Sequence, residues 1–132
     1  MKKNIIFYKG KTQFENTGDL LINKTLLDLI SVYSEVIVDD SSMPERYHRK
    51  LLSRIGNIRK ITDVSPQTSY NFLFYKTLFR NFFYKSSVIY FVDNPGHVYS
   101  KKKVPDISDI FGLNKKRLLS FMGCKFLRIG VT

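Results

Sequence analysis

The chain has 132 residues, 43% of them hydrophobic and 25% charged, which argues for one folded domain with its own core and against a disordered segment. Lys and Arg number 22 against 11 acidic residues, for a net charge of +11; the excess favours anionic partners, but an AT-rich, Lys-heavy coding sequence produces it too, so charge alone names none. The single cysteine, Cys124, excludes an internal disulfide and a cysteine-based zinc site, and no set of metal or cofactor ligands stands out.

In chain order, Met1-Lys2-Lys3 imitates the basic start of a signal peptide, but the apolar run behind it ends at Lys9, too short for a signal sequence. No apolar stretch approaches the ~20 residues that span a bilayer. The chain therefore reads as cytoplasmic. Residues 4–8 form a first strand, and residues 20–32 a helix with Leu20, Leu21, Leu26, Leu27 and Ile30 as its apolar face. Residues 35–39 form a β-branched strand that ends in the acidic turn Asp39-Asp40-Ser41-Ser42. Residues 44–55 are charged and helical, with Pro44 in the first turn, and residues 58–64 are a weak strand. Ser65-Pro66 opens a second long helix that runs to about Tyr84. Residues 87–92 are the strongest strand, apolar throughout, and Asp93-Asn94-Pro95-Gly96-His97 breaks it. After the basic run Lys101-Lys102-Lys103, residues 108–122 read as a helix interrupted near Gly112, and residues 125–131 as a last strand.

This alternation argues for an α/β fold, a Rossmann-like doubly wound parallel sheet with helices on both faces. In such sheets ligands lie beyond the carboxyl ends of the strands. Thr132 closes directly on an apolar strand, where a doubly wound fold continues into another loop and helix. The expectation is that residues 1–132 are a single domain, the N-terminal fragment of a larger enzyme.

Gly10-Lys11-Thr12 imitates a nucleotide P-loop, but the glycine required five residues earlier is Ile5, within the strand. Asn16-Thr17-Gly18-Asp19 is the better candidate. Gly18 permits close approach of a ligand, and Thr17 or Asp19 can cap the helix that follows. The competing reading is a helix cap and nothing more. At the end of the fourth strand, Asn94 and Gly96 occupy a second ligand position, and His97 is the one histidine in a plausible ligand loop, although such histidines are more often solvated than catalytic. His48 reads as a surface residue. Asp39 and Asp40 end the second strand, where a dinucleotide-binding enzyme grips a ribose, but the glycine-rich fingerprint that would support that analogy is missing.

The run Phe14-Glu15-Asn16-Thr17-Gly18-Asp19-Leu20-Leu21-Ile22 between a strand and an amphipathic helix resembles the N-terminus of the polysaccharide pyruvyl transferase family. The C-terminal Gly123-Cys-Lys-Phe-Leu-Arg-Ile-Gly130-Val131-Thr132 resembles that family's strand leading into a Gly-Pro loop, and the order of elements between fits as well. One departure is the fourth strand, where many members carry a run of glycines and this chain keeps only Gly96. The resemblance implies the first domain of a two-domain, GT-B-like enzyme. Such an enzyme takes an enolpyruvyl group from phosphoenolpyruvate and leaves it on a saccharide acceptor as a pyruvate ketal. It further implies that Asn16, Thr17, Gly18 and Asp19, with Asn94 and Gly96, shape the sugar side of the cleft. The donor-binding Arg and His residues would lie largely in the second domain, so this chain alone is expected to be inactive.

Phe72, Tyr75, Phe79, Phe82 and Phe83 recur at helical spacing, and Lys76, Arg80 and Tyr84 read as the opposite side of that helix. The first reading is an aromatic core face with a solvated basic edge. The alternative is an interfacial helix, which would set the protein peripherally at the inner face of an anionic membrane, close to lipid-linked acceptors. A sugar-nucleotide glycosyltransferase of the same fold is a further alternative. Nucleic-acid binding ranks lower, because the basic residues are scattered and no recognition motif is visible.

Overall fold

In a computed structural model, the structure describes residues 2–11, 17–52, 57–64, 67, 69–95 and 107–128. Five strands, β1 (Lys3–Lys11), β2 (Glu35–Val38), β3 (Ile58–Lys60), β4 (Ser87–Pro95) and β5 (Cys124–Arg128), form one parallel sheet in the order β3-β2-β1-β4-β5. The helices between them are α1 (Thr17–Ser31), α2 (Glu45–Leu51), the single-turn α3 (Ile61–Val64), α4 (Tyr70–Tyr84) and α5 (Ile107–Phe121).

The alternation of side chains along the strands divides the core in two. Ile6 and Tyr8 of β1, Val36 and Val38 of β2 and Val92 of β4 pack with Leu27 of α1 and with Tyr47 and Leu51 of α2. Phe7, Ile37, Ile89 and Cys124 face the other way, toward Ile61 of α3, Tyr70, Phe74 and Leu78 of α4, and Leu119 of α5. The chain thus steps from β1 to β3 beneath one layer of helices and from β3 to β5 beneath the other. A constant crossover hand requires this arrangement, because the two series of steps run in opposite directions. The fold is α/β and Rossmann-like, with a doubly wound sheet. On the second face the rings interlock edge to face: Phe7 lies 5.1 Å from Phe74 and 5.8 Å from Tyr70, centroid to centroid. Burial pushes the Cys124 thiol up to about 11, against a smaller opposing effect from its hydrogen bond with the Phe91 backbone, so it is a packed apolar group and not a nucleophile at neutral pH.

Several boundaries differ from those expected. β1 extends three residues past Tyr8 to Lys11, and β4 runs through Asp93, Asn94 and Pro95 without breaking, because each extension is the pairing partner of the other. Residues 61–64, expected as strand, form α3. α5 passes through Gly112 without interruption. α4 begins at Tyr70, with the Ser69 side chain accepting a hydrogen bond from Phe72 N at 3.2 Å; Ser65 and Pro66 lie outside the described residues. On α1, Leu21 is largely exposed, and Asn23 takes the buried position instead.

The largest difference is on α4. Its buried side is Tyr70, Phe74, Leu78 and Asn81, whereas Phe72, Phe79 and Phe83, expected as core, point to solvent at 60%, 59% and 64% exposure. Lys76 and Arg80 are not opposite these rings. At about 100° per residue, Lys76 falls beside them and Arg80 further round, on the flank. The aromatic spacing was compatible with either side of the helix facing the sheet, and Phe74 and Leu78 fit the sheet.

Candidate functional site

In this strand order, the direction of winding reverses between β1 and β4, which makes the gap above their carboxyl ends the place where α/β sheets hold ligands. Among the described residues, β2 pairs with β1 as far as Tyr8 and β5 pairs with β4 as far as Asp93. The register Lys9↔Asp93, Gly10↔Asn94 and Lys11↔Pro95 carries both central strands further. A two-stranded ribbon of backbone therefore projects past the sheet at the point of reversal. Pro95 brings no N–H to the ladder, so the last ribbon position is a natural end to the pairing.

The two candidate segments leave from the ends of this ribbon. Residues 12–16 follow β1 and residues 96–106 follow β4; both stretches, including Asn16, Gly96 and His97, lie outside the described residues. Of Asn94, the described part is the backbone, paired with Gly10. Thr17, Gly18 and Asp19 form the first turn of α1. Thr17 and Gly18 are exposed and Asp19 is half-buried. The first-turn N–H groups of a helix attract negative charge, and the Asp19 carboxylate already supplies one. That makes the turn a better partner for neutral hydroxyl donors than for a second anion.

The turn is held from below by a set of residues that the sequence did not single out. Tyr8, fully buried at the last position where β1 is paired on both sides, donates its hydroxyl to Asn23 Oδ1 on α1. Asn23 Nδ2 in turn donates to Tyr47 Oη on α2 at 3.3 Å. Asn23 lies one turn beyond Asp19, so this chain of side chains fixes the start of α1 against the sheet. A signal was present: Leu20, Asn23 and Leu27 share one helix face, and an Asn on an apolar stripe implies a buried polar partner.

At the end of β2, Asp40 is buried and accepts from Thr62 N at 3.3 Å and Thr62 Oγ1 at 2.6 Å, which ties the strand to α3. Asp39 Oδ1 accepts from Ser41 N at 3.2 Å and Ser41 Oγ at 2.5 Å, a local turn. Both carboxylates thus have structural duties where a ribose grip was considered. His48 is half-buried on α2, and its Nδ1 has no hydrogen-bond partner among the described residues. Among the described residues, no group of three His, Cys, Asp or Glu side chains could hold a metal ion.

A second concavity lies at the opposite, amino edge of the sheet. It encloses about 430 Å³ between the starts of β1, β2 and β4 and the flank of α4 that carries Leu73, Thr77 and Asn81. Lys3, Arg59, Lys76 and Arg80 supply its cations. Glu35 pairs with Lys3 and, at 3.3 Å, with Arg59, whereas Lys76 and Arg80 have no carboxylate partner among the described residues. Comparison with protein-family models, with curated proteins and with solved structures found no match for the chain.

Proposed function

We propose that this chain is the acceptor-side domain of a polysaccharide pyruvyl transferase-like enzyme, the first of two Rossmann-like domains in a GT-B-like arrangement. In the reaction, C3 of phosphoenolpyruvate takes a proton, two hydroxyl oxygens of one sugar bond to C2, and inorganic phosphate leaves, which gives a cyclic pyruvate ketal. Asn16, Thr17, Gly18 and Asp19, with Asn94 and Gly96, would hold the sugar hydroxyls. His97 is the candidate proton donor on this side of the cleft. The observation that carries the reading is the register that sets Gly10 beside Asn94, since the segment that resembles the family's first loop and the segment after the fourth strand, which keeps only Gly96 of the family's glycines, then begin from adjacent strand ends at the point of reversal. The negative charge of Asp19 in a helix first turn favours the sugar over the phosphate of the donor.

The reading is tested by NMR titration of the isotopically labelled chain with oligosaccharides that offer paired hydroxyls, with phosphoenolpyruvate, and with a sugar nucleotide. Saccharides are expected to move the amide signals of residues 17–19 and 93–94, and Asp19→Ala to weaken the effect by about tenfold, the scale of a hydrogen bond to a charged group. Shifts confined to other parts of the sheet would overturn the proposal, and a response to the sugar nucleotide alone would turn it toward a glycosyltransferase. Incubated with phosphoenolpyruvate and acceptor, the chain by itself is expected to release no phosphate above background. Sustained turnover would overturn the division of the site between two domains.

A further inference from the structure

We infer that the outer face of α4 is a docking surface for an anionic lipid bilayer, independently of the ketal-transfer reading. Three observations meet on this face. The first is an unusual amount of exposed ring. Phe79 and Phe83 stand 5.0 Å apart, edge to face, Phe83 meets Phe82 at 5.5 Å, and Phe82 reaches Phe121 of α5, itself 77% exposed, at 6.3 Å. Aromatic side chains in such numbers are characteristic of the membrane–water interface, where an apolar ring sits at headgroup depth.

The second is the sign of the charge. α4 contains no acidic residue, and the 114–121 part of α5 contains none either. Lys76 borders the aromatic side, Arg80 follows it on the flank, and Lys115 stands 5.5 Å above the Tyr75 ring. The third is geometry. Phe72, Tyr75, Phe79 and Met122 line an apolar groove of about 440 Å³ whose edge is Lys76, and Lys76 also lines the cationic groove at the amino edge of the sheet. An apolar trough and a cationic trough that share one side chain match the two halves of an anionic phospholipid.

The charge also selects among occupants. A second copy seated face to face would bring Lys76, Arg80 and Lys115 against their own equivalents on a chain of net charge +11. Another exposed apolar ridge among the described residues, Leu21, Ile22 and Leu29 on α1, shares its helix with Asp19 and with Asp28, which pairs with Lys24 at 3.7 Å. That mixed surface offers nothing specific to an anionic lipid, whereas α4 itself carries Lys76 and Arg80 and no acidic residue.

The test is co-sedimentation of the full chain with vesicles of phosphatidylcholine alone or mixed with phosphatidylglycerol, with melting curves to establish that each variant is folded. Binding is expected only to the mixed vesicles and is expected to weaken with salt. Lys76→Glu/Arg80→Glu should cost more than tenfold, at roughly fivefold for each cation removed from a lipid surface and more on reversal. Phe79→Ser/Phe83→Ser, which leaves the net charge unchanged, should cost at least as much. Arg46→Glu/Lys50→Glu on α2 alters net charge equally on the opposite layer and should cost far less. Equal loss in the two charge-reversed variants would reduce the effect to net charge and overturn the proposal. So would binding that survives Phe79→Ser/Phe83→Ser, or a dimer in sedimentation velocity that this variant abolishes.

Discussion

Asn23 carries more structural responsibility than any other polar side chain described in the core. It is 2% exposed, accepts from Tyr8 and donates to Tyr47, and so connects β1, α1 and α2 at one point below the proposed sugar site. A buried amide is tolerated only when its bonds are made, and losing it also deprives Tyr8 and Tyr47 of their contact with it. Asn23→Ala is therefore expected to lower the unfolding free energy by about 1–3 kcal/mol, the range for loss of a buried polar partner. Tyr47→Phe, which removes only the hydroxyl at the longer end of the chain, should cost about 1 kcal/mol. Urea denaturation of the two single variants and the double variant would check this. If the costs simply add, the three side chains do not act as a connected unit. Spacing alone puts Asn23 on the apolar stripe of Leu20 and Leu27 and so implies a buried partner, but it does not say which. Its partners come from a strand 15 residues before it and a helix 24 residues after it.

At the scale of elements, α4 shows what periodicity can and cannot reveal. Its end near Tyr84 and its aromatic spacing were legible, because rings at i, i+3 and i+4 intervals fit a helix and no other regular structure, whereas its start lies at Tyr70 and not at Ser65-Pro66. Which side faces the sheet was not, because Phe74 and Leu78 on one side and Phe79 and Phe83 on the other satisfy the same period. The termini are better determined. Ser69 caps the start, and Asn81 Oδ1 accepts from Ser87 N at 2.8 Å, which fastens the end of the helix to the first residue of β4. Between them Lys85 adopts a left-handed conformation, φ 47°, and its N–H bonds to Asn81 O at 2.7 Å. A side chain bears a steric penalty there that glycine avoids. Lys85→Gly is expected to raise stability by about 0.5–1 kcal/mol, despite the greater freedom glycine gives the unfolded chain. A shift of the urea midpoint to higher concentration at unchanged slope would bear this out; a shift to lower concentration would mean that the lysine stem contributes packing that outweighs the backbone strain.

For the whole molecule, the parallel sheet and its alternating helices followed from apolar runs such as Ile5 to Tyr8 and Val88 to Val92, which are long enough to be covered on both faces. The ribbon above the sheet did not, because Lys9 to Lys11 and Asp93 to Pro95 carry no apolar run that marks a strand, and their extended form comes with their pairing to each other. The same locality limits what charge reveals. A net +11 was plain in the sequence, but the cationic groove and the aromatic face beside it depend on which sides of β1, β3 and α4 come together. The global excess has its own consequence. The ion pairs Lys3–Glu35, Arg59–Glu35, Lys24–Asp28, Arg49–Glu45 and Lys60–Asp63 each involve a substantially exposed partner, so each contributes little and salt removes little from them. With 22 cations against 11 anions, the larger effect of salt is to screen repulsion that exists only when the chain is compact. Raising sodium chloride from about 0.01 M to about 0.15 M shortens the screening length from roughly 30 Å to roughly 8 Å, less than the width of the sheet. The melting temperature is therefore expected to rise with salt over that range, by about 4 °C if screening recovers ~1 kcal/mol. A scanning calorimetry series at fixed pH would test the balance: a fall with salt would mean that the ion pairs, Glu35 with its two cations first among them, outweigh the net repulsion.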